Sequence, residues 1–140
     1  MKRYLALMLL CLLALSLVSC STQNPMQDSL DVTRNTGSIE IRVFSNTDQT
    51  YTDYVITDRA TVREICDYFG ALELEKVKIT EPLAMSYTIT FCNANGVGIE
   101  SLILVAGYNV IDYGDLYRVQ DEVDIHDYVA SLVDKAQPKE

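Results

Sequence analysis

Few side chains in this chain have the chemistry for catalysis or metal binding, and their spacing limits what they can do. The inventory is four cysteines, one histidine and 20 carboxylates. Cys11 and Cys20 lie in or just after an apolar N-terminal run, whereas Cys66 and Cys92 belong to the body of the chain. Two isolated cysteines and a distant His126 lack the close ligand spacing of a tetrahedral zinc site, so no metal site is expected. Cys92 has no helix terminus or basic neighbour to lower its thiol pKa. No motif sets a Ser or Cys beside His126. Asp112, Asp115, Asp121, Glu122, Asp124 and Asp127 crowd into 16 positions. A calcium loop needs alternating oxygens, a central glycine and a glutamate at its twelfth position, which Asp112-Tyr113-Gly114-Asp115 does not supply. These acids suit a helix N-terminus and solubility instead. With no G-x-x-x-x-G-K, G-x-S-x-G or H-E-x-x-H, the chain reads as a non-enzyme without catalytic, cofactor or metal residues.

Tyrosine is the remaining side chain with recognition chemistry. Eight of the nine lie beyond the leader, and Tyr108, Tyr113 and Tyr117 fall at the ends of short C-terminal strands where turns can present them. They form the candidate binding surface, because tyrosine joins broad apolar contact to a hydroxyl that tolerates water. The competing reading is that they cover a half-buried sheet, where tyrosine is a good strand former.

The elements that would position these groups follow from periodicity. Residues 38–44 alternate with Ile39, Ile41 and Val43 on one face, giving a strand, and 51–57 gives a second after the turn at 46–49. Asp58 can cap a helix over 59–69, with Thr61-Val62-Arg63-Glu64 as an alternative capping box. Val62, Ile65, Cys66 and Phe69 make its apolar stripe, and Gly70 is expected to end it in the left-handed conformation. Residues 72–79 read as a bulged or twisted edge strand protected by Glu73, Glu75, Lys76 and Lys78. Strands over 87–92 and 97–106 flank Asn93-Ala94-Asn95-Gly96, a strong hairpin signal. Leu102-Ile103-Leu104-Val105 has no polar partner on either face and reads as the central strand. Strands follow at 110–113 and 116–119. Asp121 then caps a helix over 122–135 whose apolar face carries Ile125, Tyr128, Val129, Leu132 and Ala136.

The order is ββαβββββα. Short turns without strand–helix–strand alternation predict an α+β domain: an antiparallel sheet of six to seven short strands with two helices on one face. Cys66 sits on the helix stripe, and Cys92 alternates with Thr88 and Thr90, opposite Tyr87, Ile89 and Phe91. That parity points the two thiols to different layers and argues against a disulfide.

The N-terminus begins Met1-Lys2-Arg3-Tyr4, then runs through 14 almost wholly apolar residues from Leu5 to Val18. Two cations before a run too short to span a bilayer describe a secretory signal. Leu17-Val18-Ser19-Cys20 resembles the bacterial lipobox. That resemblance implies cleavage before Cys20 and attachment of diacylglycerol to its sulfur. Residues 1–19 are then the lipoprotein signal peptide, with 20–37 the lipidated cysteine and a flexible polar linker. The domain is 38–136, and 137–140 is a tail. Two or three acyl chains, palmitate among them, would anchor the chain stably where one would not.

The chain carries 11 basic against 20 acidic residues. Loss of Lys2 and Arg3 would take the net charge from −9 to −11. That balance excludes a nucleic-acid partner, because phosphate is held by clustered Lys and Arg. It would also push the domain from anionic headgroups, which suits a tether. The whole is similar to small lipoproteins of Gram-positive bacteria with one α+β domain. The resemblance implies a membrane anchor facing the extracytoplasmic side; the leading expectation is a non-enzymatic interaction module there, with an envelope protein or peptide as partner. Two further functions stand beside it: an inhibitor or immunity lipoprotein against a basic envelope-attacking enzyme, and a hydrolase working with carboxylates alone.

Overall fold

A computed structural model describes residues 24–26, 35–120, 122 and 124–139. Within them the chain is an α+β domain, a single antiparallel sheet with two helices. The strands are β1 (Ser38–Ser45), β2 (Thr50–Ile56), β3 (Leu74–Lys76), β4 (Met85–Cys92), β5 (Gly98–Val105), β6 (Val110–Asp112), β7 (Leu116–Val119) and β8 (Gln137–Pro138). The helices are α1 (Arg59–Ala71) and α2 (Ile125–Val133). Strand order across the sheet is β3-β7-β6-β5-β4-β1-β2-β8, so β4 and β5 are central. Every neighbouring pair is antiparallel.

The alternation in the strands decides which face is buried. Ile39 and Ile41 of β1 stand beside Phe91 and Ile89 of β4, and Ile89 beside Leu102 of β5. All five, with Leu104 and Ile111, are fully buried. Val62, Ile65, Cys66 and Phe69 of α1 and Ile125, Val129 and Leu132 of α2 enter the same core, so both helices cover one face. Phe69 meets Phe91 edge to face with ring centroids 5.9 Å apart. Tyr68 of α1 stacks on Tyr128 of α2 at 3.6 Å, joining the helices.

Register also defines two ends of the sheet. Drawn with β1, β5 and β7 rising, the upper end holds the β1–β2 turn, the start of β4, the β5–β6 turn and the last residue of β7. The lower end holds the β4–β5 and β6–β7 turns. Helix α1 starts three residues beyond β2, at the lower end. It finishes at the upper end, where Gln120 N–H donates to the Glu73 carbonyl at 2.9 Å. Helix α2 starts at the upper end, where Ile125 N–H donates to Asn109 Oδ1, and descends.

Several local expectations change in the folded chain. Eight strands form where six to seven were expected, because Gln137 and Pro138, read as tail, pair with Val55 and Tyr54 on the open edge of β2. Proline is tolerated there because an edge strand needs donors on one side only. The edge strand read over 72–79 shortens to β3, which pairs with β7. Helix α2 is capped by Asp124, whose carboxylate accepts from His126 N–H at 2.8 Å. Asp121, the expected cap, lies outside the described residues.

Gly70 does not end α1. It is helical, and the chain leaves at Leu72 with extended backbone (φ −58°, ψ 134°). A Cβ added at Gly70 would meet nothing within 4 Å. Gly70→Ala is therefore expected to stabilise the domain by about 0.5–1 kcal/mol, since alanine restricts the unfolded chain and fits the helix. Thermal melts of the two proteins check this, and a lower melting temperature for the variant would contradict it.

At the other end of α1, Asp58 is the cap, accepting from the Thr61 backbone N–H at 2.9 Å and the Thr61 hydroxyl at 2.8 Å. Those bonds, the backbone one foremost, hold its carboxyl below the ordinary value of 3.8. The folded chain thus binds this proton more weakly than the unfolded chain. The stability from Asp58 is complete above the ordinary value and lost as pH falls through the lower, folded one. Asp58→Ala should lower the melting temperature at neutral pH, with a deficit that shrinks in acid. Paired melts across that range measure it.

Candidate functional site

The face of the sheet away from the helices carries the polar half of each strand's alternation. Glu40 and Arg42 of β1, Asp53 of β2 and Thr88 and Thr90 of β4 line a shallow depression of about 120 Å³. Arg42 Nε and a terminal guanidinium nitrogen donate to the two Asp53 oxygens at 2.7 and 2.9 Å. The guanidinium lies 4.2 Å from the Tyr51 ring centroid. This two-pronged bond from Arg42 holds the Asp53 carboxyl below the ordinary carboxylate range. Lys139 Nζ, just beyond β8, reaches Glu40 at 2.6 Å. Both carboxylates of the depression are thus neutralised by cations, an arrangement that suits polar recognition better than proton donation.

The two thiols lie in different layers and are not joined. Cys66 is in the core beneath α1. Cys92, at the lower end of β4, is paired in register with Ser38. Burial pushes both thiols above the ordinary value, the condition of an unreactive sulfur. His126 is partly covered, with Nδ1 3.4 Å from Asp124 Oδ1, and its Nε2 is buried without a hydrogen-bond partner. Among the described residues no three metal-binding side chains converge.

The three tyrosines do not share one surface. Tyr108, in the β5–β6 turn at the upper end, is 41% exposed, and its hydroxyl donates to Glu81 at 2.9 Å. Tyr113 and Tyr117 are half-buried against the core toward the lower end. Cys20, with the whole leader, lies outside the described residues.

The most specific polar construction is one that sequence reasoning missed. Asn24 is 3% exposed. Its amide nitrogen donates to the carbonyls of Phe69, Gly70 and Leu72 at 2.9, 3.1 and 2.9 Å. These are carbonyls that the end of α1 leaves without an intrahelical donor. Asn24 Oδ1 in turn accepts from Met26 N–H at 2.9 Å. Met26 is 2% exposed and joins the core. So the stretch read as a flexible linker over 20–37 contains a docked segment at 24–26. The only sequence signal for it was an apolar residue, Met26, in a polar run.

No protein-family model matches this chain, and neither a curated protein nor a solved structure matches it. Among the described residues no helix is long and apolar enough to cross a membrane.

Proposed function

We propose that the protein is a lipoprotein anchored through acylated Cys20 to a bacterial membrane, displaying a non-enzymatic binding module on the extracytoplasmic side. The observation that carries this reading is the succession of Lys2-Arg3, the short apolar run and Leu17-Val18-Ser19-Cys20. The ion-paired carboxylates on the polar sheet face support a module that recognises rather than reacts. An envelope protein or peptide is the partner proposed for it.

Intact-mass measurement on protein made in a bacterial host tests the anchor. A mature chain beginning at Cys20 and bearing acyl mass is the expected result, with Cys20→Ser lacking that mass. An unmodified Cys20 or a different first residue would refute it.

Charge favours a second reading, the inhibitor or immunity lipoprotein. Exposed Asp58, Glu64 and Asp67 at α1 and Asp124, Asp127 and Asp134 at α2 outnumber the exposed Arg59, Arg63 and Lys135, leaving the helical layer with an excess of acid. Such a field would steer a basic envelope-attacking enzyme. Association with a cationic hydrolase that weakens steeply with salt supports this reading, and salt-insensitive association opposes it.

A further inference from the structure

The docked segment at 24–26 fixes more than the end of α1. Asn24 is four Cα steps from Cys20, and four residues of fully extended chain reach at most about 14 Å. Asn24 is held at the upper end of the sheet, against the last carbonyls of α1. The polar layer on each side of a bilayer is roughly 5–8 Å thick. A lipid on Cys20 therefore brings the upper end of the domain to the membrane surface, with little slack between them.

A second observation concerns the same end. Among the described residues four large apolar side chains are exposed: Tyr51 at 58%, Met85 at 43%, Val97 at 60% and Tyr108 at 41%. Three belong to the upper end. Tyr51 is near the start of β2, Met85 opens β4, and Tyr108 is in the β5–β6 turn. Val97 alone is at the lower end, in the β4–β5 turn. Tyrosine suits a headgroup layer, where its ring meets apolar chain and its hydroxyl meets water.

We propose that the anchored domain stands on the bilayer by its upper end, with Tyr51, Met85 and Tyr108 against the headgroups and the β4–β5 turn pointing away. This rests on the reading of Cys20 as the acylated residue. The partner is the lipid surface itself. Because Glu73 and Glu81 are exposed on the segments at this end, a zwitterionic surface is the one it fits; anionic headgroups would repel it.

The chain has no tryptophan, so single reporters can be placed by Met85→Trp, Tyr108→Trp and Val97→Trp, all at exposed positions. The acylated mature proteins are floated with phosphatidylcholine vesicles containing a headgroup nitroxide lipid, a short-range quencher. Met85→Trp and Tyr108→Trp are expected to be quenched several-fold more strongly than Val97→Trp. With two reporters at the upper end, either one that folds suffices for the comparison. Protein that floats but is quenched equally at both ends, or more strongly at Val97, overturns the orientation while leaving the anchor intact. Protein that fails to float overturns the anchor reading, and the orientation with it.

Discussion

Asn24→Ala is expected to lower stability by about 2–4 kcal/mol, the cost of stranding buried polar groups that had one shared partner. For a domain of this size that is a fall in melting temperature of roughly 10 °C or more. The change removes the donor to three carbonyls at the end of α1 and the acceptor for Met26 N–H. It also frees the buried Met26 side chain to leave the core. Thermal or urea melts measure the loss, and a change within experimental error would mean that the segment does not hold the helix end.

Asn24→Asp sharpens the same test. A carboxylate at this site would face three carbonyl oxygens, so the folded chain would favour its protonated form. Its pKa would be raised above the unfolded value, and the variant would bind the proton more tightly folded than unfolded. Its stability relative to the parent should then fall as pH rises above the ordinary carboxylate range. Asp58→Ala, by contrast, should approach the parent as pH falls. The two profiles differ in their cause: Asp58 favours the ionised form, and an acid at position 24 favours the neutral one.

The second large effect is expected at Gly37. The strand β1 begins beside the β4–β5 turn, and Gly37 N–H donates to the Cys92 carbonyl at 2.7 Å. A Cβ on residue 37 would stand 2.7 Å from Ala94 Cα and 2.8 Å from Ala94 N. Those are backbone atoms of a turn already fixed by bonds from Asn95 and Val97 N–H to Asn93 Oδ1. Neither side can yield by turning a side chain. Gly37→Ala should therefore cost about 1–3 kcal/mol, as overpacking elsewhere does, or shift the start of β1 away from β4. Melts report the first outcome. Faster amide exchange at residue 37, whose N–H donates to the Cys92 carbonyl, would report the second, and a variant as stable as the parent would contradict both.

The layer structure was legible because one face of each element is buried, and burial imposes a period on the sequence. The stripe Val62, Ile65, Cys66 and Phe69 is the buried set of α1, and Ile125, Val129 and Leu132 are that of α2. The parity that separated Cys66 from Cys92 came from the same rule. What escaped has no period. Two residues, one of them proline, are too few to alternate, so β8 is defined only by the edge of β2 that receives it. Gly70 carries the signal for a helix stop, but the donor that satisfies the end of α1 comes from Asn24, 46 positions earlier. A polar residue in a polar run gives no local hint of such a role. The candidate site divides similarly. Glu40 and Arg42, alternating with Ile39 and Ile41, announce a charged outer face, whereas their partners Asp53 and Lys139 become known only from the strand order.

If the protein is exported as proposed, the position of β8 has a consequence for how it matures. The bond from Lys139 to Glu40 joins residues 99 positions apart, and β2 has no neighbour on its outer side until β8 arrives. A chain threading N-terminus first through a secretion channel would therefore complete seven strands while that flank stayed open to other unfolded polypeptides. Closing it is a late step with a long loop to gather in, which is slow compared with forming the β4–β5 hairpin. During that interval the nascent domain would need either dilution or a chaperone beyond the membrane, and the exposed β2 is the surface such a helper would have to shield.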